Sequence, residues 1–245
     1  MSTSRRILLE VCIGSADDAE VAVGGGADRL ELNAALALGG LTPSLGALLE
    51  VKRRVDRPVV AMVRPRPGGF LYTRGEYDTM VRDAETLLDR GADGLALGVL
   101  TAGGEVDVER CRRLVRLLTP GHEAVFHRAF DATPDPFAAL ETLIALGFRR
   151  VLTSGQRPSA IEGIDLIAAL IRRAAGRIEV LPGAGIKAAN VAELVRRTGC
   201  DQVHGSFGEA REDSSLSARP WLDLGRSTGT SRAMVADVVG VLSGL

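Results

Sequence analysis

Two carboxylates stand inside apolar strand-like runs. Glu10 interrupts LLEVCIG, and Glu31 sits between Leu30 and Leu32 in RLELNAA. Further along, VVAMVRPRPGGF carries Arg64 and Arg66, FHRAFD carries His127 and Arg128, and HGSF carries His204 and Ser206. Carboxylates, imidazoles and guanidinium groups are the parts of an acid/base site for a small anion. In that reading Glu10 or Glu31 is the general base, His127 the acid, and Arg64 with Arg66 the clamp, while His204 completes the constellation. Paired arginines suit carboxylate or phosphate groups, and Pro65 and Pro67 stiffen the backbone that aims them. Gly183 and Gly185 in LPGAGI let backbone N–H groups approach an anion ahead of a helix beginning near Lys187. Ser154 in LTSGQ, Ser206 and Arg128 join them as the candidate anion-binding set, with Arg128 at the rim or paired to Asp131. The oxygen and nitrogen donors of Glu10, Glu31, His127 and His204 also fit a divalent cation, whereas a soft Cu(I) site wants thiolates. Of the three cysteines only Cys12 shares this end of the chain's strands, and the plainer reading of Cys12 is a small buried hydrophobe.

These residues need elements to position them. Strand-like runs recur near 7–12, 28–33, 59–64, 93–98, 123–128, 149–154, 178–182 and 201–206. Helical patterns fall at 16–23, 45–55, 74–90, 108–118, 136–146, 164–175, 188–198 and 232–242; the clearest places Tyr77, Met80, Val81, Ala84, Leu87 and Leu88 on one face. Strands alternating with helices imply parallel pairing through crossovers. Eight such units in 245 residues are the size of a TIM (β/α)₈ barrel, with an open doubly wound sheet as the alternative.

An internal repeat favours the barrel. GADRLELN, GADGLALG, GFRRVLTS and GCDQVHGS begin at Gly26, Gly91, Gly147 and Gly199, ahead of every second strand. The glycine suits a left-handed residue at a helix end. One aligned column is Leu30, Leu95, Val151 and Val203, uniformly apolar; the next is Glu31, Ala96, Leu152 and His204; two further on stand Asn33, Gly98, Ser154 and Ser206. Strand side chains alternate between faces. The apolar column therefore faces the helices, and the mixed column faces the barrel axis toward the C-terminal mouth, where a carboxylate can be solvated by water or ligand. By the same parity Glu10 and Cys12 share a face.

Composition excludes several classes. A net charge of −1 gives no footprint for nucleic acid or an anionic membrane, and 4% aromatics leave no base-stacking platform. The N-terminal run is broken by Glu10 and does not read as a signal peptide. No apolar run is long enough to span a membrane. Cys12, Cys111 and Cys200 are far apart and odd in number, which suggests a reducing cytoplasm rather than a disulfide framework.

EVCIGSADDAEVAVGGGADRLELNAAL, GGLTPSLG, VRPRPGGFLY, GADGLALGVLTAGGEVD, FHRAFDATPDPFAALE, VLTSGQRPSAIEG and LPGAGI, in this order, resemble the CutC family, named for copper homeostasis, over roughly residues 7 to 206. The resemblance implies one TIM-barrel domain over 1–245, with 207–231 a variable polar loop before the last helix. It also implies a cytoplasmic, copper-binding protein that assembles from identical chains. Of the two strand-end cysteines proposed as Cu(I) ligands in the family, the first matches Cys12. The second would fall in LELC, where this chain has Asn33, a hard and poor ligand for Cu(I). Two functions stay open. One is copper homeostasis through bound copper. The other is an enzyme acting on a small phosphorylated or carboxylated metabolite by isomerisation, aldol cleavage or hydrolysis. A non-catalytic scaffold makes no use of five charged groups at one mouth, each costly to desolvate unless paired.

Overall fold

The computed structural model describes residues 6–211, 214–216, 221 and 227–245. Eight strands alternate with helices: β1 (Leu8–Ile13), α1 (Ala16–Gly24), β2 (Arg29–Leu32), α2 (Leu45–Arg54), β3 (Val59–Met62), α3 (Arg74–Asp89), β4 (Gly94–Leu97), α4 (Val108–Val115), β5 (Glu123–Phe126), α5 (Pro136–Leu146), β6 (Arg150–Thr153), α6 (Ile164–Ala174), β7 (Glu179–Pro182), α7 (Ala188–Thr198) and β8 (Gln202–Gly205). A two-stranded antiparallel ribbon of β9 (Gly208–Ala210) and β10 (Thr228–Thr230) precedes α8 (Arg232–Ser243). The main sheet runs β7-β6-β5-β4-β3-β2-β1-β8 with every pair parallel. A parallel bridge between Gly183 and His204 joins its two ends, so the strands close into a TIM barrel.

Local chemistry sets the element ends. Thr73 and Glu76 form a reciprocal capping box that starts α3, and its apolar stripe from Tyr77 to Leu88 is buried as the spacing predicts. Gly147 and Gly199 close α5 and α7 in the left-handed region. The ends of the expected 207–231 loop pair as the β9–β10 ribbon, while 212–213, 217–220 and 222–226 lie outside the described residues.

The strands are shorter than the sequence pattern implies. β3 stops at Met62 and β5 at Phe126, so Arg64, His127 and Arg128 stand on the loops just beyond. His127 caps a short 3₁₀ turn over Arg128–Ala132 by accepting the Ala129 N–H on its own ring. That local hydrogen bond replaces a further ladder bond.

Parity holds. Leu30, Leu95, Val151 and Val203 are fully buried in the core shared with the helices. The inside of the ring divides across its diameter. On one side Val60, Met62, Ala96 and Val125, from β3, β4 and β5, make a separate apolar cluster. On the other side β8, β1 and β2 supply His204, Glu10, Arg29 and Glu31, all buried.

Candidate functional site

The barrel's C-terminal mouth opens into a cavity of about 710 Å³ whose walls include Cys12, Glu31, Asn33, Arg64, Phe70, His127 and His204. Each comes from a different strand end or the loop after it, which is how this architecture assembles a site.

The acidic side is built on β1, β2 and β8. His204 Nδ1 lies 2.8 Å from Glu10 Oε1, and its Nε2 lies 3.9 Å from Glu31 Oε2. Glu10 does not reach the cavity wall. It lies beneath, bound on its other oxygen by the Arg29 Nε–H. Burial would raise Glu10, but the Arg29 charge, the His204 hydrogen bond and more distant Arg150 outweigh it and hold the carboxyl well below its ordinary range. Burial would lower His204, but the Glu31 charge and the Glu10 hydrogen bond raise it above an ordinary histidine. Glu31 is raised, first by burial and then by Glu10, against the pull of His204 and Asn33. The result is an ionised Glu10 under an imidazole and carboxyl that hold a proton between them. Glu31 Oε2 accepts from Asn33 Nδ2 at 2.9 Å, while Oε1 is buried without a partner.

The basic side is built on the loops after β3 and β5. Arg64 is buried and donates to the carbonyls of Leu38 (3.1 Å), Gly40 (2.8 Å) and Gly68 (2.8 Å). Among the described residues it makes no ion pair, and its Nε is buried and unpartnered. His127 packs against Phe70 with ring centroids 5.0 Å apart, and Phe70 also lies under the Arg64 guanidinium at 5.5 Å. Burial, and then the Arg64 charge, push His127 down to about 3. A ring that is neutral at physiological pH cannot be the cationic acid the sequence reading assigned; His204 suits that part. A Cβ on Gly98 would meet His127 Cε1 and Nδ1 at 2.7 Å, which explains glycine at this point of the repeat. Gly98→Ala is expected to lower stability by about 1–3 kcal/mol through overpacking and to displace the imidazole. Urea unfolding with histidine NMR checks both, and an unmoved ring at full stability would contradict the packing argument.

Other expected members scatter. Arg66 does not join Arg64: it donates to Glu76 at 2.6 Å and lies over the Tyr72 ring at 5.0 Å, off the cavity. The reason is that Glu76, already capping α3, captures it. Ser154 is buried beside the cavity rather than on it, its hydroxyl 3.0 Å from Asp131 Oδ2 and accepting from Arg128 at 2.8 Å. Arg128 does line the mouth and pairs with Asp131 at 2.8 Å. Gly183 spends its N–H on the Thr153 carbonyl at 2.9 Å and packs on His204, so it has none for an anion. Gly185 and Ser206 do line the cavity, as does the exposed Lys187.

Three residues that matter were missed. Arg29, Arg150 and Gln202 lie below Glu10, where Gln202 Oε1 accepts from Arg29 and Arg150, each at 2.8 Å. Arg150 also pairs with Glu179 at 2.9 Å and Glu123 at 3.1 Å. The signal was present: these residues occupy the repeat column two places before Glu31. A second cavity of about 800 Å³ involves His122, Arg149 and Glu179 at the opposite end. Among the described residues it presents no buried unpartnered side-chain atom.

Cys12, Glu31 and His204 could hold a metal, since one donor atom from each lies within 4.8 Å of the others. Burial and then the Glu31 carboxylate push the Cys12 thiol well above its ordinary value, and Asn33 Nδ2 lies 3.2 Å from its sulfur. A two-thiolate Cu(I) site does not fit. The mixed sulfur, oxygen and nitrogen set suits a borderline divalent ion.

Fold and site together define a (β/α)₈-barrel protein with a polar, partly unsatisfied pocket at the strand ends. Residues 7–209 match the CutC family, and the chain belongs to it. A CutC family protein of Treponema denticola is 50% identical over 90% of this chain and 89% of its own. The human copper homeostasis protein cutC homolog is 44% identical over 96% and 86%. The crystal structure of a CutC protein from Streptococcus agalactiae superposes with TM-score 0.77 at 36% identity, covering 82% of this chain and 98% of that one. Among the described residues no helix is long and apolar enough to cross a membrane.

Proposed function

We propose that the mouth is the active site of an enzyme that moves protons on a small, oxygen-rich anionic metabolite. Glu31 and His204 are the proton-transfer pair, and Arg64 holds the ligand. One observation carries this reading: Glu31 Oε1, Arg64 Nε and His127 Nε2 are buried, lack hydrogen-bond partners and belong to residues of one cavity. Leaving such groups unsatisfied costs about 1–3 kcal/mol each, which a bound ligand recovers. An Arg64 cation solvated only by carbonyls supports an anionic group on that ligand. The compartment we propose is the cytoplasm, supported by three buried free thiols.

Thermal unfolding against inorganic phosphate, small carboxylates and phosphorylated sugars tests the reading. A ligand at about a hundred times its Kd stabilises by about 2.7 kcal/mol, a rise in Tm of about 5–10 °C for a chain of this size. Arg64→Ala should abolish the response. The absence of any response in the wild-type chain would remove this reading.

The relatives named for copper homeostasis support a second reading, in which Cys12, Glu31 and His204 bind copper. The clustering of three buried donors supports it. Metal analysis of the purified protein, with Cys12→Ser as control, tests it; equal metal content in both would count against it.

A further inference from the structure

We infer that His127 is the electrophile of this site: its Nε2–H donates to the carbonyl oxygen of a substrate that has a removable proton on the adjacent carbon. The inference rests on the acid/base reading above and names the substrate class.

The tautomer follows from one hydrogen bond. The Ala129 N–H donates to His127 Nδ1 at 3.2 Å. An N–H can donate only to a lone pair, so Nδ1 carries no proton and the neutral ring carries its hydrogen on Nε2. That Nε2–H is buried and has no partner, on a residue that lines the cavity. The ring is fixed by Phe70 on one side and Gly98 on another, so the donor is aimed before a ligand arrives. The Arg64 charge nearby opposes a second proton on the ring.

A neutral donor suits a carbonyl better than a phosphate, which calls for charged or multiple donors. Arg64 has spent three N–H contacts on backbone carbonyls and keeps Nε. Two N–H donors facing one cavity are the arrangement that stabilises an oxyanion as charge develops on it. The acidic side of the same cavity supplies the base. Ionised Glu31 removes the proton from the carbon next to the carbonyl. The C–H electron pair becomes the new C=C bond, and the C=O π pair moves onto oxygen, which His127 and Arg64 hold as an enolate. Return of the proton to the same carbon, or to its neighbour in an enediol, restores a carbonyl with no oxidant or further reactant. A neutral imidazole performs this polarisation better than an imidazolium because its acidity is closer to that of the enol.

The test uses the full chain labelled with ¹⁵N-histidine and two probes of similar size: glycolohydroxamate, which mimics an enediolate, and glycolate, which offers only a carboxylate. Long-range ¹H–¹⁵N spectra, with His127 assigned by its loss in His127→Gln, should give the Nε2–H tautomer unchanged across about pH 5–8. Glycolohydroxamate should shift that Nε2–H signal and bind about tenfold or more weakly to His127→Ala, while glycolate affinity changes little. An Nδ1–H tautomer or an imidazolium at neutral pH overturns the inference, and the wild-type spectrum decides this even if His127→Ala does not fold. If glycolate binds in an Arg64-dependent way while glycolohydroxamate leaves His127 unmoved, the inference fails and the acid/base reading stands. If neither probe binds the wild-type chain, both fail.

Discussion

Replacing Arg29 with methionine is expected to lower stability by about 3–5 kcal/mol at pH 7, and by clearly less at about pH 4. Arg29 is buried and binds Glu10 and Gln202. Removing it strands a carboxylate that is 1% exposed, and an uncompensated buried charge is among the costliest changes a core can suffer. The pH dependence follows from the direction of each shift. Glu10 is depressed below its ordinary 4.5, so its contribution is present above that value and lost as pH falls through the folded one. Without Arg29 the depression shrinks, and acid then relieves the mutant by protonating Glu10. His204 behaves oppositely. Its raised value gives stability that is full below its ordinary 6.5 and lost as pH rises through the folded value. Arg29 itself opposes the His204 charge, so the mutant should hold that proton to higher pH. Urea unfolding followed by circular dichroism from acid to neutral pH measures the gap between the two proteins. A gap below about 1 kcal/mol at pH 7, or one that widens on acidification, contradicts this account.

The acidic side of the site was legible because it lies on regular strands. Glu31 and His204 share a column of the repeat, and parity alone sends both inward. Register then makes Glu10 the partner of both Arg29 and His204 in neighbouring strands. The basic side was less legible because it lies past the strand ends, where alternation stops applying. Arg64 and Arg66 look equivalent in VRPRPGG, yet Arg64 turns onto three carbonyls while Arg66 is taken by Glu76 ten residues on. Nothing local distinguishes them. The role of His127 was misread for a similar reason: its protonation depends on the Ala129 N–H and on Arg64, contacts that no residue spacing reveals. Arg29 and Arg150 escaped notice because arginine reads as a surface residue. Only the Glu10, Glu123 and Glu179 carboxylates and Gln202 make their burial tolerable.

Changing Asn33 to cysteine is expected to raise Cu(I) affinity by more than about a hundredfold, a gain above about 2.8 kcal/mol. Cys12 alone offers one thiol, and burial with the Glu31 charge keeps it protonated. Cu(I) must displace that proton and then finds only harder oxygen and nitrogen donors nearby. The Asn33 amide nitrogen is 3.2 Å from Cys12 Sγ, so a sulfur at this position lies beside the first and supplies a second soft donor. Room is not the obstacle. The Asn33 amide packs tightly against Gly40, and a thiol is smaller than the amide it replaces. Competition with a strong Cu(I) chelator measures the gain, and Asn33→Ser separates sulfur from mere loss of the amide hydrogen bond. If Asn33→Cys binds no tighter than the wild-type chain and both bind weakly, copper does not reach Cys12, and the enzymatic reading is left alone at this mouth. If the wild-type chain already binds as tightly as the variant, Cys12, Glu31 and His204 suffice as ligands. Metal would then compete directly with proton transfer, because Glu31 and His204 cannot hold an ion and exchange a proton with a substrate at once.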